Sequence, residues 1–206
     1  HKAITIIQFK VEGQLIKKHP EWNMKERLLL DKIDYKQGII KLGGKEYPLN
    51  DTYFPTIDPK DPYKLTHEEE DVVERLKNSF LGSERLQRHI RFLYTKGSLY
   101  KVYNGNLLYH GCVPLNEDGS FMKVRIFDKT YSGKALYDIL EHYARKGYYS
   151  IDPQEKQRGE DILWFIWKNK HSPVFGKERM ATFERYFIDA TETHEEPKNA
   201  YYRLFE

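Results

Sequence analysis

The sequence predicts a mixed chain of the α/β or α+β class, and three local signals carry that reading. Ile4, Ile7, Val11 and Leu15 recur at three- and four-residue steps, which is helical spacing. Thr66-His67-Glu68-Glu69 is a T-x-x-E capping box, the signature of a helix start. Asn104-Gly105 lies between two strand-like runs, 98–103 and Asn106–Tyr109. It has the chemistry of a type I′ hairpin turn, in which both central residues need positive φ.

The remaining elements follow in order. The first helix is stopped by His19-Pro20, and Asn23 is placed to cap a short helical turn over 24–30. A β-meander is expected from 33–35, Ile39–Leu42 and 47–49, separated by Lys36-Gln37-Gly38 and Gly43-Gly44. Pro55, Pro59 and Pro62 make 50–65 an irregular connection. The helix opened by Thr66 carries Val72, Val73, Leu76 and Phe80 to Gly82; Ser83 then caps another with Leu86, Ile90 and Leu93 inward. After the Asn104-Gly105 hairpin, Asp118-Gly119 predicts a second one leading into a strand over 121–127, with Val124 and Ile126 on one face and Lys123 and Arg125 on the other. Ser132 precedes a stripe of Leu136, Ile139, Leu140 and Tyr143 that should end at Gly147. Residues 159–168 form another helix with Leu163, Ile166 and Trp167, and Phe183, Tyr186 and Phe187 sit in a last short element.

Composition narrows the function. The 206 residues carry 34 Lys+Arg against 31 Asp+Glu, a net +3 with the signs interleaved, so no segregated basic patch points to nucleic acid. No apolar run approaches the roughly 18 residues of a membrane helix. The single cysteine, Cys112, excludes an internal disulfide and fits a reducing compartment. Leu, Ile, Val and Phe make up about a quarter of the chain, thin for a self-sufficient core. With His1 in place of a starting methionine, that thinness suggests a piece that packs against further polypeptide.

The most informative stretch for chemistry is Leu107-Leu108-Tyr109-His110-Gly111-Cys112-Val113-Pro114. It places an imidazole at the carboxyl end of an apolar strand, next to a glycine that lets the backbone turn and a ligand approach. Neutral imidazole binds Mn, Fe or Zn; the alternative is a strand-end histidine bonded to a carbonyl. Lys177, Arg179 and Arg185 are candidates for gripping a substrate phosphate, set against the reading of a solvated face. Cys112 is read as a packed thiol, not a nucleophile paired with His110. Glu117 and Asp118 are read as turn chemistry, and Trp164, Trp167 and Phe183 as core or contact surface.

The block from Tyr103 to Gly119, Tyr-Asn-Gly-Asn-Leu-Leu-Tyr-His-Gly-Cys-Val-Pro-Leu-Asn-Glu-Asp-Gly, resembles the His-Gly block of the class III fructose-1,6-bisphosphatases, the manganese-dependent bacterial type within the calcineurin-like metallophosphatases. The likeness extends to Gln8-Phe9-Lys10, to residues 23–30, to Lys32-Ile33-Asp34-Tyr35, to Phe175-Gly176-Lys177, to residues 182–187, to Glu192-Thr193-His194 and to Lys198-Asn199. It implies part of a metallophosphatase sandwich: 1–97 as a helical and β-meander insertion, and 98–206 as core carrying the His-Gly block. It also implies hydrolysis of fructose 1,6-bisphosphate in gluconeogenesis, in the cytoplasm, at a dinuclear Mn²⁺ centre with His110 as one ligand. The family's other motifs, Asp-Leu-His-Gly-Glu, Gly-Asp-Ile-Tyr-Asp-Arg-Gly, Gly-Asn-His-Asp and Gly-His-Thr-Pro, are absent from these residues. The chain is therefore expected to be an interior segment, inactive alone, whose partners are fructose 1,6-bisphosphate, the remainder of its own polypeptide and, left open, further copies of itself. Two rival readings stand beside this one: a non-catalytic binding or assembly module, and a metallophosphatase acting on another phosphoester.

Overall fold

The computed structural model describes residues 1–205. In chain order it contains α1 (Lys2–Lys18), β1 (Ile33–Asp34), β2 (Ile39–Leu42), β3 (Lys45–Pro48), α2 (His67–Leu81), α3 (Glu84–Lys96), β4 (Tyr100–Tyr103), β5 (Asn106–Tyr109), β6 (Val124–Ile126), β7 (Lys129–Tyr131), α4 (Gly133–Tyr149), α5 (Pro153–Lys168), α6 (Thr182–Phe187) and α7 (Ala200–Phe205). Every strand pair is antiparallel, in one sheet of three strands and two of two strands, so the class is α+β. Contacts divide the chain into two units, His1–Gly82 with Met180–Glu195, and Ser83–Arg179 with the residues from 196 onward.

In the first unit the core gathers Ile6, Leu30, Ile33, Ile40, Phe183 and Phe187 between α1, the β1–β2–β3 meander and α6. Gly43 and Gly44 both have positive φ, so β2 and β3 turn tightly with Leu42 opposite Lys45. The expected helical turn over 24–30 is instead two separate 3₁₀ turns, Lys25–Arg27 and Leu30–Lys32, with Asn23 in the left-handed region before them.

The buried face of α1 also departs from its apolar pattern. Ile4 and Val11 are exposed, while Ile6, Lys10, Gly13 and Ile16 are buried. Two features invisible to periodicity set that face. The ring of Tyr63 lies so close to Gly13 that a Cβ there would meet it at 2.0 Å. Its hydroxyl accepts from the Leu30 amide at 3.1 Å, which fixes the ring in place. Lys10 is fully buried, and its ammonium bonds Glu69 Oε2 at 2.6 Å and the Thr56 carbonyl at 2.5 Å. Glu69 is also the return arm of the expected capping box: it accepts from the Thr66 amide at 2.9 Å while Thr66 Oγ1 accepts from the Glu69 amide at 3.3 Å.

In the second unit α4 and α5 fold back on each other as its main scaffold. Asp152 caps α5, accepting from the Glu155 amide at 2.8 Å, and Pro153 occupies its first turn. The helix therefore begins six residues before the expected start at Gly159. Gly147 does not end α4 either. Gly147 and Gly159 face each other where the helices touch, and a Cβ on Gly159 would lie 2.1 Å from the Gly147 nitrogen. Both glycines are there for close approach, which a pattern search reads as a breaker. Gly159→Ala should push the helices apart and cost about 1–3 kcal/mol, read as a lowered urea midpoint with an unchanged slope.

The strand expected over 121–127 is shorter and pairs forward with β7, not back across Asp118-Gly119. Only the single bridge between Leu115 and Phe121 remains of the second hairpin. Val124 and Ile126 are buried and Arg125 is exposed, as their alternation requires. Ser132 stands at the N-cap of α4 without a side-chain capping bond, and Trp167 is 60% exposed, on the surface and outside the core.

Candidate functional site

The β4–β5 hairpin carries His110. Asn104 and Gly105 have φ of 49° and 75°, which turns the chain in two residues and pairs Tyr100 with Tyr109 and Val102 with Leu107. The root of the hairpin is tied to α4. Glu141 accepts from Ser98 Oγ at 2.6 Å and from the Leu99 amide at 3.0 Å, and the Tyr100 hydroxyl donates to Asp138 at 2.9 Å. Burial opposes ionisation of Glu141, but hydrogen bonds from Ser98, Arg145 and the Leu99 amide outweigh it and hold its carboxyl below the usual range.

Immediately after β5, the chain is clamped from the other side. The Cys112 amide donates to the Pro173 carbonyl at 2.8 Å, and the Cys112 carbonyl accepts from the Tyr137 hydroxyl at 2.9 Å. Between them Gly111 is pressed against the 173–174 backbone: a Cβ would sit 2.3 Å from the Pro173 oxygen and 2.7 Å from that of Val174. Further on, Asn199 Oδ1 accepts from the buried Leu115 amide at 3.1 Å, while the Asn199 amide donates to the Gly176 carbonyl at 3.1 Å. The 172–176 turn is itself braced by Ser172, whose Oγ accepts from the Val174 amide at 3.1 Å and donates to the Ile166 carbonyl.

His110 thus sits on a backbone fixed on both sides. Its side chain is exposed, and among the described residues no side chain holds it. Its neighbour is not a second donor. Cys112 is fully buried, and desolvation pushes its thiol up to about 11, as a packed thiol should be. Asp118 is engaged in its own turn, accepting from the Ser120 hydroxyl at 2.6 Å and amide at 2.9 Å, and these bonds lower its pKa. Glu117 is paired with Arg203. Among the described residues no group of three or more His, Cys, Asp or Glu could hold a metal ion. The donor set present therefore fits a divalent centre as one ligand and no more.

Of the candidate phosphate-binding cations, Lys177 and Arg179 belong to the second unit and Arg185 to the first. Lys177 is ion-paired with Glu196 at 2.5 Å. Arg185 is exposed on α6, and its guanidinium donates to the His194 carbonyl at 3.3 Å. Sequence reasoning missed the parts that hold the histidine block: Pro173, Ser172 and Asn199 lie some sixty to ninety residues away and carry no spacing signal.

A family model described as Firmicute fructose-1,6-bisphosphatase matches residues 1–206. This chain belongs to that family. Among curated proteins it is 58% identical over 207 residues to the class 3 fructose-1,6-bisphosphatase of Clostridioides difficile, covering 100% of this chain and 31% of that protein. It is 57% identical over 203 residues to the class 3 enzyme of Clostridium tetani, covering 98% and 31%. It is 54% identical over 204 residues to fructose-1,6-bisphosphatase class 3 1 of Clostridium beijerinckii, covering 99% and 31%. The chain spans a little under a third of the length of these relatives. No solved structure matches it. No helix among the described residues is long and apolar enough to cross a membrane.

Proposed function

We propose that this chain is the part of a fructose-1,6-bisphosphatase that presents one imidazole ligand, His110, to a dinuclear manganese centre. The enzyme would hydrolyse fructose 1,6-bisphosphate to fructose 6-phosphate and phosphate, in cytoplasmic gluconeogenesis. The observation that supports this reading is the exposed His110, without a side-chain partner among the described residues, on a clamped turn in a chain whose family carries that activity in its name. When bound, a pair of divalent ions polarises a phosphoryl oxygen and activates a water for in-line attack. The part of this chain is positional. The hairpin root on Glu141 and the clamp at Cys112 fix both sides of His110, so a ligand nitrogen is offered with little backbone entropy to lose. Lys177, Arg179 and Arg185 remain the candidates for substrate phosphate, with Lys177 available only where Glu196 is displaced.

One ligand cannot hold two metals, so the 206 residues alone should release no phosphate from fructose 1,6-bisphosphate with added Mn²⁺; turnover above buffer would contradict the assignment. In a polypeptide of the relatives' full length, His110→Ala should lower kcat/KM by more than the roughly 10–100-fold typical of losing an outer-sphere partner. Unchanged kinetics would show His110 to be structural.

A further inference from the structure

Helices α2 and α3 carry apolar stripes that the described residues do not bury. Val72, Val73, Leu76 and Phe80 share one face of α2, and Leu86, Ile90 and Leu93 share one face of α3. The one buried residue on α2 is Glu69, and α3 has none. Leu76 is 43% exposed, Phe80 60% and Leu93 62%. Leu86 and Ile90, expected to point inward, are only half-buried. The two helices also carry opposite charge. Apart from Glu69, which Lys10 neutralises, α2 exposes four carboxylates, at 68, 70, 71 and 74, against Arg75 and Lys77, an excess of two acids. On α3, Arg85, Arg88, Arg91 and Lys96 stand against Glu84 alone, an excess of three bases. None of those four cations has an ion-pair partner among the described residues. A stripe of exposed apolar side chains flanked by unpaired charge of one sign is the form of an interaction surface.

Independently of the metal site, we propose that α2 and α3 form the contact between two copies of this chain, with α2 of one copy lying antiparallel on α3 of the other. Charge selects both the occupant and its direction. The surface that an acidic, apolar-striped helix needs is a basic, apolar-striped one, and a second copy brings it. Aligned antiparallel, Val73, Leu76 and Phe80 fall opposite Leu93, Ile90 and Leu86. Glu70 and Glu74 then flank Arg91, Glu68 approaches Lys96, and Lys77 approaches Glu84. A parallel alignment of the same stripes would set Glu68 against Glu84 and Arg75 against Arg91, which like-charge repulsion disfavours. Under two-fold symmetry the contact is made twice, so each copy has both of its stripes covered and the assembly closes as a dimer.

The test is sedimentation velocity on the full-length protein, comparing the parent with two charge-reversed variants. One carries Glu70→Lys with Glu74→Lys on α2; the other carries Arg91→Glu with Lys96→Glu on α3. All four side chains are exposed, so both variants should fold as the parent does, which circular dichroism checks. The parent should sediment as a dimer. Each variant alone should dissociate at least about 100-fold more readily, because both of its interhelical contacts now oppose like charges. An equimolar mixture of the two should dimerise again, with a Kd within about tenfold of the parent's, since each reversed helix then meets its opposite on the other copy. A monomeric parent would overturn the proposal. So would variants that keep the parent's dimer, which would place these helices against another part of their own polypeptide or the dimer contact elsewhere. A mixture that stays monomeric would overturn it as well. A second measurement leaves every charge in place: copies with Leu76→Cys, mixed under mild oxidation with copies carrying Ile90→Cys, should join to each other faster than either joins to itself. Cys112, buried, does not compete. Equal rates of mixed and self joining would contradict the antiparallel contact.

Discussion

Gly111→Ala is expected to disable the histidine block from a position that carries no functional group. The added methyl would lie 2.3 Å from the Pro173 oxygen and 2.7 Å from the Val174 oxygen. Both are backbone atoms of a turn braced by Ser172 and by Asn199, so neither can yield cheaply. The strand between His110 and Cys112 must therefore lift away, breaking the 2.8 Å bond from the Cys112 amide to Pro173. Overpacking costs about 1–3 kcal/mol and an unsatisfied buried amide about 1–3 more. The variant should unfold about 2–6 kcal/mol more easily in urea. In the full-length enzyme it should also lose metal and activity, although no ligand has been changed. A variant as stable and as active as the parent would show that the clamp does not hold the histidine.

Lys10→Met should be the most damaging single substitution in the first unit. Among the described residues it removes the only side-chain cation bonded to Glu69, a carboxylate with 7% side-chain exposure. Breaking one half of a buried pair typically costs about 3–5 kcal/mol, because the other charge is left uncompensated. Lys10→Met with Glu69→Leu should recover most of that loss, since an apolar replacement of both partners is often neutral. The pH dependence has a definite sign. In the parent, burial raises the Glu69 pKa, but bonds from Lys10 and Thr66 outweigh it and leave it below the ordinary glutamate value. Its stabilisation is present above the unfolded pKa of about 4.3 and is lost as pH falls through the lower folded value. Without Lys10 burial dominates and the folded pKa lies high, so the variant's deficit should shrink as pH falls from 7 towards 4. A deficit independent of pH would mean that Glu69 carries no charge in the fold.

These two positions also show what the sequence could and could not reveal. Local chemistry was legible where a few adjacent residues decide the outcome. Thr66 and Ser83 start their helices as their side chains predict, accepting from the Glu69 and Leu86 amides. Asn104-Gly105 makes its turn because both residues tolerate positive φ. What escaped depends on distant partners. Lys10 lies off the stripe of Ile4, Ile7, Val11 and Leu15, and its burial depends on Glu69, fifty-nine residues on, brought to 2.6 Å. Gly147 and Gly159 read as a stop and a start because their use, helix on helix, is not a local property. At the candidate site, His110 emerged from its apolar strand, its glycine and the family likeness. The residues that hold it, Pro173 and Asn199, lie on segments whose sequence gives no hint of meeting it.

The claim on which the rest depends is that His110 ligates metal. Its most direct test is the manganese content of the full-length enzyme after gel filtration, compared between the parent and His110→Ala, with circular dichroism confirming that both are folded. The account predicts that the variant loses at least one of the paired ions and that bisphosphatase activity falls with it. Full manganese occupancy in a folded His110→Ala enzyme would contradict it.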